Sequence, residues 1–269
     1  MQDELNNGLV LLGCGKMGSA MLQGWLAQGV SPDQVHVQDP FPSDWLNSTG
    51  VSINQTLPAA PSVVLIAVKP QMMSDALPAL KAMGNGATLF LSVAAGISIS
   101  TYEDILGSDT PIIRAMPNTP AAVGKGITAI VGNSRTNATQ MALATTLLET
   151  IGQVVSLDAE AQIDAVTGVS GSGPAYVFHM IETLAAAGEA QGLAPDLAMQ
   201  LAKATVAGAG ALAEQSEDSP SQLRVNVTSP NGTTQAGLEV LMNQDSGLPP
   251  LMAATVAAAT NRSKELANG

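Results

Sequence analysis

The sequence is short of the residues that most directly advertise chemistry. Its 269 residues include one cysteine, Cys14, and two histidines, His36 and His179. One cysteine excludes an intrachain disulfide and any cysteine-built metal cluster. The histidines lie too far apart in sequence to suggest a local ligand pair, so no metal is expected. Aromatics are only 3% of the chain, which leaves the core to Ala, Val, Leu, Ile and 12 Met. Basic residues are scarce as well: 10 Lys and Arg face 22 Asp and Glu, for a net charge of −12. With no basic stripe to neutralise phosphates, a nucleic-acid partner is not expected. Long apolar runs are missing too: residues 8–12 and 62–68 fall far short of the roughly 20 residues that span a bilayer. The polar, acidic start at residues 1–7 has no positive segment ahead of an apolar one, so no ordinary secretory signal is read and a cytoplasmic protein is the expectation.

What is present is patterned in two halves. Short apolar runs at 9–12, 34–38, 63–68, 88–93, 112–115, 127–131 and 154–157, with a further short one at 51–53, alternate with helix-forming stretches at 17–28, 71–83, 99–106 and 137–151. The runs lack strict alternation, as strands buried on both faces of a parallel sheet do, and the order reads as βαβ units. After about Glu160 strand-like runs stop. Ala-rich helical segments follow at 174–191, 195–216, 233–243 and 251–266, separated by Gly192, the 216–220 run, Ser229-Pro230-Asn231-Gly232 and residues 247–250. These helices are more apolar than a small exposed bundle would be, which predicts a partner subunit on part of that surface.

The first strand runs directly into Gly13-Cys14-Gly15-Lys16-Met17-Gly18. A lone Gly-x-Gly-x-x-Gly is a weak signal, but between a strand and a helix it reads as a dinucleotide phosphate loop. Gly13 permits the tight turn, Gly15 the approach of a pyrophosphate and Gly18 the packing of helix on strand. The competing reading is a plain strand-to-helix turn. Asp39 ends the second strand, roughly 20 residues on, where an acid holds the adenosine ribose hydroxyls and repels a 2′-phosphate. That leans slightly towards NADH, but Asp39-Pro40 is also an ordinary turn and Lys16 could offset the repulsion, so NADH and NADPH both stay open. The fold class is α/β: an N-terminal Rossmann-type parallel-sheet domain over 1–159, followed by an all-α dimerisation and substrate domain over 160–269.

Four further strings are more specific: Ala67-Val68-Lys69-Pro70, Arg114-Ala115-Met116-Pro117-Asn118-Thr119-Pro120, Gly168-Val169-Ser170-Gly171-Ser172-Gly173-Pro174-Ala175-Tyr176, and Val227-Thr228-Ser229-Pro230-Asn231-Gly232-Thr233-Thr234. In this order and spacing the chain, from Gly8 to about Leu266, resembles the pyrroline-5-carboxylate reductase family, which completes proline synthesis. The resemblance implies a homodimer interlocked through the helical half, dimers that assemble further into a decamer, and NADPH or NADH as cofactor. It implies cofactor contacts at Gly13, Gly15, Lys16, Met17, Asn54, Ala67, Val68, Lys69, Pro70, Val93, Ala94, Ala95 and Asn226; Cys14, within the loop, and Asp39, by its spacing, complete the candidate cofactor set. Substrate contacts would fall at Glu160, Glu217, Ser229, Gly232, Thr233 and Thr234. The chain departs from the family pattern at Val225, where Asp is common, and at Asn231, where a second Gly is common. Asn tolerates a left-handed backbone better than most residues, so that turn is expected to survive.

The implied substrate, 1-pyrroline-5-carboxylate, is a cyclic imine bearing a carboxylate. Its reduction needs a hydride on the imine carbon and a proton on nitrogen. A helix N-terminus at Thr233 offers amides for the carboxylate, and the Ser229, Thr233 and Thr234 hydroxyls add uncharged donors. Thr234, with Glu217 or water behind it, is the candidate proton relay. Each has a plainer reading: Thr233-Thr234 as a turn and helix cap, Glu217 as a solvated charge, Lys69-Pro70 as a strand end. Tyr176 and His179 read as core or interface, Asn118 as a loop anchor, and Cys14 as incidental. Two rivals remain: a β-hydroxyacid dehydrogenase or other imine reductase, and a nicotinamide-binding sensor without turnover. The first usually depends on a lysine in the helical half, and Lys203 and Lys264 lie in no motif. The intact Ser-Pro-Asn-Gly-Thr-Thr string argues against the second.

Overall fold

Apolar runs of four or five residues become the centre of a sheet, in a computed structural model that describes residues 2–268. Eight strands form it: β1 Leu9–Leu12, β2 Val35–Gln38, β3 Ser52–Ile53, β4 Val63–Ile66, β5 Leu89–Ser92, β6 Ile112–Met116, β7 Gly126–Gly132 and β8 Gly152–Ser156. Their order across the sheet is β3-β2-β1-β4-β5-β6-β7-β8. Alternate residues feed two apolar layers. Leu9, Leu11, Val63 and Leu65 pack on one face, and Val10, Leu12, Val64 and Ile66 on the other. This double burial is why the runs show no polar alternation.

One pairing departs from the expected parallel sheet. β6 and β7 are antiparallel, with Arg114 opposite Val131. Only residues 117–125, largely a 3₁₀ turn at Thr119–Val123, join them, and a parallel crossover needs about a dozen residues or more. The chain can therefore only turn back. β7 and β8 are parallel again, because α5 (Ala138–Glu149) fills the connection, opened by an Asn137–Gln140 capping box.

The helices before the sheet's far edge are α1 (Lys16–Ala27), α2 (Asp44–Ser48), α3 (Met73–Ala76) and α4 (Ile99–Leu106). The stretch read as one helix over 71–83 is broken into a 3₁₀ turn at Pro70–Met72, the single turn α3 and a 3₁₀ segment Leu77–Met83. Pro78 lacks the N–H that would close the next α-helical turn, and its ring crowds the preceding one. After β8, α6 (Ile163–Val166) runs into a π-helical turn at Thr167–Gly171.

The chain divides into two compact units. One takes everything through Gly171 together with the end from Ala259 onward, and the other is Ser172–Ala258. The second unit is helical: α7 (Gly173–Ala190), α8 (Pro195–Gln215), α9 (Pro220–Asn226), α10 (Thr233–Leu241) and the start of α11 (Leu248–Asn268). α9 falls where only a connection was expected. Its signal was local, since Ser219 caps it by accepting from the Gln222 N–H and Pro220 sits in its first turn. α7 and α8 pack through small residues, and a side chain at Gly188 would come within 3.4 Å of the Ala198 Cβ.

Candidate active site

The sheet order sets the first part of the site. The residues predicted to hold a cofactor follow β3 (Asn54), β2 (Asp39), β1 (Gly13 to Met17), β4 (Ala67 to Pro70) and β5 (Val93 to Ala95). These are five adjacent parallel strands, so their carboxyl ends form one row. The strand order reverses between β1 and β4, the point at which open α/β sheets leave a ligand crevice.

Glycine is required at the centre of that row. Gly13 has φ +87°, and a Cβ there would lie 2.8 Å from Val68 Cγ1 and 3.0 Å from the Ala67 carbonyl. A Cβ at Gly18 would lie 2.5 Å from the Gly13 carbonyl oxygen. Gly15 is different: its Cβ would meet nothing within 4 Å. It is also the N-cap of α1, with no side-chain cap and no acid in the first turn. An open space beside uncapped helix amides fits a dinucleotide's pyrophosphate. Lys16 is exposed, whereas Met17 packs its side chain on the core. Neighbouring backbone N–H groups are already used, as Ala67 donates to Leu12 O, Val93 to Ile66 O and Ala94 to Ser92 Oγ.

Cys14 is buried, and burial pushes its thiol up, opposed by the hydrogen bond to Ser19 and reinforced by the charge of Asp39. Burial and the neighbouring carboxylate thus favour the thiol over the thiolate, the form that packs rather than attacks. Its backbone N–H donates to Asp39 Oδ2 at 2.7 Å. Asn54, left-handed at φ 52°, brackets the Asp39 backbone: its Oδ1 accepts from Asp39 N–H and its Nδ2 donates to Asp39 O.

A polar network lies deeper, and sequence reasoning missed its centre. Arg114, in the apolar strand β6, is buried and donates to Glu160 Oε1 at 2.6 Å. The same oxygen accepts from the Ile99 N–H at the start of α4 at 2.8 Å. Glu160 therefore ties α4 to β6, with Oε2 uncommitted among the described residues. Beside it Tyr102 shares a 2.5 Å hydrogen bond with Ser92. Burial pushes the Tyr102 phenol up to about 12, the Ser92 hydrogen bond and Arg114 charge pulling the other way and Glu160 adding to the rise. The available signal was one charged residue inside an otherwise apolar run. Asn118 is an anchor of the expected kind: its Oδ1 accepts from Ile127 N–H, and its Nδ2 donates to the Ser170 carbonyl in the π turn.

The second unit holds the remaining predicted residues. Asn231 takes φ 59°, so the turn survives without a second glycine. Its N–H donates to Gln235 Oε1 at 2.7 Å, and the Gly232 N–H donates to Ser229 O at 3.0 Å. Gly232 then caps α10 with no side-chain partner. Ser229, Thr233 and Thr234 are exposed around that terminus. Asn226 closes α9, donating to Asp218 Oδ2 and accepting from Gln222 Nε2. Glu217 is exposed in the bend before α9. Val225 lines an apolar groove between α9 and α10 with Leu238 and Met242. His179 is exposed and faces Glu182, which removes it from any core.

A glycine-cornered turn at the strand switch point of an open sheet, followed by a helical unit, is the arrangement of dinucleotide-dependent oxidoreductases. Residues 9–96 match the family model "NADP oxidoreductase coenzyme F420-dependent", and residues 160–266 match "Pyrroline-5-carboxylate reductase dimerisation". The chain is 39% identical over 265 residues to the pyrroline-5-carboxylate reductase of Pseudomonas aeruginosa, covering 96% of each chain. It is 41% identical to that of Synechocystis, over 96% of this chain and 97% of the relative. Among solved structures, the Coxiella burnetii pyrroline-5-carboxylate reductase superposes with TM-score 0.91 at 34% identity, over 97% of this chain and 98% of that one. The Plasmodium falciparum enzyme, solved with NADP bound, gives 0.83 at 28%, with the same coverage. The chain belongs to the pyrroline-5-carboxylate reductase family.

Proposed function

We propose that this protein reduces 1-pyrroline-5-carboxylate to L-proline at the expense of NADPH or NADH. The observation that carries the reading is the uncapped N-terminus of α10, ringed by Ser229, Thr233 and Thr234, in a chain of this family. The α10 amides and the Ser229 and Thr233 hydroxyls cradle the substrate carboxylate without a fixed positive charge. Glu160 Oε2 is the oxygen left to face substrate. Thr234 faces the ring nitrogen and, once hydride has reached the imine carbon and the nitrogen has regained its lone pair, passes it a proton that Glu217 or water replaces. Gly13, Gly15 and the first amides of α1 hold the pyrophosphate, with Lys16 and Lys69 as flanking cations. Ala67 to Pro70, Val93 to Ala95 and Asn226 orient the nicotinamide end, and Asp39 and Asn54 the adenosine end. When bound, the reduced nicotinamide supplies the hydride taken by the imine carbon. An iminium already carries the positive charge that attracts hydride, so no strong enzymatic acid is needed.

The working form is a homodimer, with dimers associating into a decamer, in the cytoplasm. The match to the dimerisation family over residues 160–266 supports the dimer. A lone cysteine held as a buried thiol suits a reducing compartment. The division of labour between 1–159 and 160–269 is part of the same reading.

Oxidation of NADH or NADPH on adding 1-pyrroline-5-carboxylate is the direct test, and its absence with both cofactors would end the reading. Thr234→Ala is expected to lower kcat by about a hundredfold, the scale of one acid–base contribution. An unchanged kcat across pH would remove Thr234 from the proton path.

A further inference from the structure

We infer that Asp39 makes this protein selective for NADH over NADPH. This rests on the reading that the crevice holds a nicotinamide dinucleotide. The evidence lies in how the carboxylate is held.

Asp39 Oδ2 accepts the Cys14 N–H of the phosphate loop at 2.7 Å, and Oδ1 accepts the Phe41 N–H at 2.7 Å. Asn54 clamps its backbone from the next strand on both sides, at 3.0 and 2.8 Å. The Gly13 N–H meanwhile donates to Gln38 O. The carboxylate is therefore pinned to the strand-to-helix loop, and it cannot swing away from an incoming adenosine without breaking both of its backbone contacts, while Asn54 keeps the Asp39 main chain from shifting. A carboxylate offers about four lone-pair positions. The two backbone donors occupy two, which leaves acceptors for the 2′- and 3′-hydroxyls of a ribose, both of which are donors. A 2′-phosphate brings acceptors and up to two negative charges to the same place, and Asp39 has nothing to give it but repulsion.

The surroundings offer no rescue. Lys16 is the only Lys or Arg before Lys69, so the whole β2 to β3 segment carries no basic side chain beyond His36. The charged neighbours on the connection after β2 are acidic, with Asp44 opening α2. Lys16 opens α1 beside the amides assigned above to the pyrophosphate, and no second cation stands with it before Lys69. A site built for a 2′-phosphate needs a cation close by, and this segment contains none.

The test is binding, measured by the fluorescence of reduced NADH and NADPH on the full-length protein without substrate. NADH is expected to bind at least about tenfold more tightly than NADPH at low salt, with the gap narrowing as salt screens the repulsion. Asp39→Asn is expected to weaken NADH and strengthen NADPH, closing the gap. Its thermal midpoint without cofactor reports whether the phosphate loop still folds, and the wild-type ratio stands as a test even where the variant does not. NADPH binding as tightly as NADH, or a ratio unmoved in a folded Asp39→Asn, would overturn the inference while leaving the reductase reading intact. Failure of both dinucleotides to bind would overturn both.

Discussion

At the scale of single residues, the buried polar groups of the sheet unit decide more than its exposed charges. Tyr102 is fully buried, and its phenol is raised to about 12 chiefly by that burial. A tyrosine in the unfolded chain titrates near pH 10. Between those values the unfolded chain has lost a proton that the folded chain keeps, so stability is fully present below about pH 10 and falls as pH rises. The slope is at most about 1.4 kcal/mol per pH unit. Denaturant unfolding at pH 9, 10 and 11 is expected to show a shallower alkaline decline in Tyr102→Phe than in wild type, and equal slopes would contradict the assignment. Arg114 and Glu160 stabilise by a different route. Their pairing offsets the cost of burying a guanidinium within apolar β6, and it fastens the first turn of α4 to that strand. Neither residue was legible as a structural pair, because they stand 46 positions apart and only the sheet brings them together.

At the scale of elements, the junctions carry function and the interiors follow from composition. The strands β1 to β5 were readable from apolar runs, and the observed bounds of β1 coincide with the expected 9–12, whereas the 63–68 and 88–93 runs stop as strands at Ile66 and Ser92. The α9 helix was not seen, because seven residues are too few for hydrophobic periodicity and its polar start resembles a loop. The broken 71–83 segment shows the converse, in which helix-forming composition lost to one proline. The turn before α10 is the most exacting junction. Asn231 sits at φ 59°, a conformation that costs a β-branched residue about 1–2 kcal/mol. Asn231→Val is therefore expected to lower stability by about that much and raise the KM for 1-pyrroline-5-carboxylate, while Asn231→Gly preserves both. Chemical denaturation with steady-state kinetics on both variants checks this, and a Val variant with normal KM would separate the turn from the substrate cradle.

At the scale of the whole molecule, the two units are unequally able to stand alone. The sheet unit owns two extensive apolar layers. Among the described residues, the buried cluster of the helical unit is Ala185, Ala198 and Ala202, with Ile181 and Met199 against it. Large side chains such as Phe178, Leu197, Leu201 and Leu251 are left exposed. Three buried alanines stabilise little by area, so the unit needs a partner surface. If that surface is a second copy, the thermal midpoint is expected to rise with protein concentration, and sedimentation to show no monomer at working concentrations. A monodisperse, fully active monomer would contradict the assembly. No helix among the described residues is long and apolar enough to cross a membrane, so a bilayer-spanning α-helix does not account for this exposed surface.

The chain by itself determined the features that depend on near neighbours. Strands arose from runs of Val, Leu and Ile, the phosphate loop from glycines at fixed spacing, α5 from its Asn137 cap, and the helical half from alanine-rich segments between breakers. These are local choices, made by sterics and hydrogen bonds over a few residues. Tertiary structure alone decided the strand order that lines five loops along one edge, the antiparallel return of β7, and the burial of Arg114 against Glu160. It also decided where Asp39 sits. The sequence leaned only slightly from a turn at Asp39-Pro40 towards a ribose ligand. Only the parallel pairing of β1 with β2 brings its carboxylate to the Cys14 amide, 25 residues away. Contacts at that separation depend on how loops close and layers pack, and no local pattern records them.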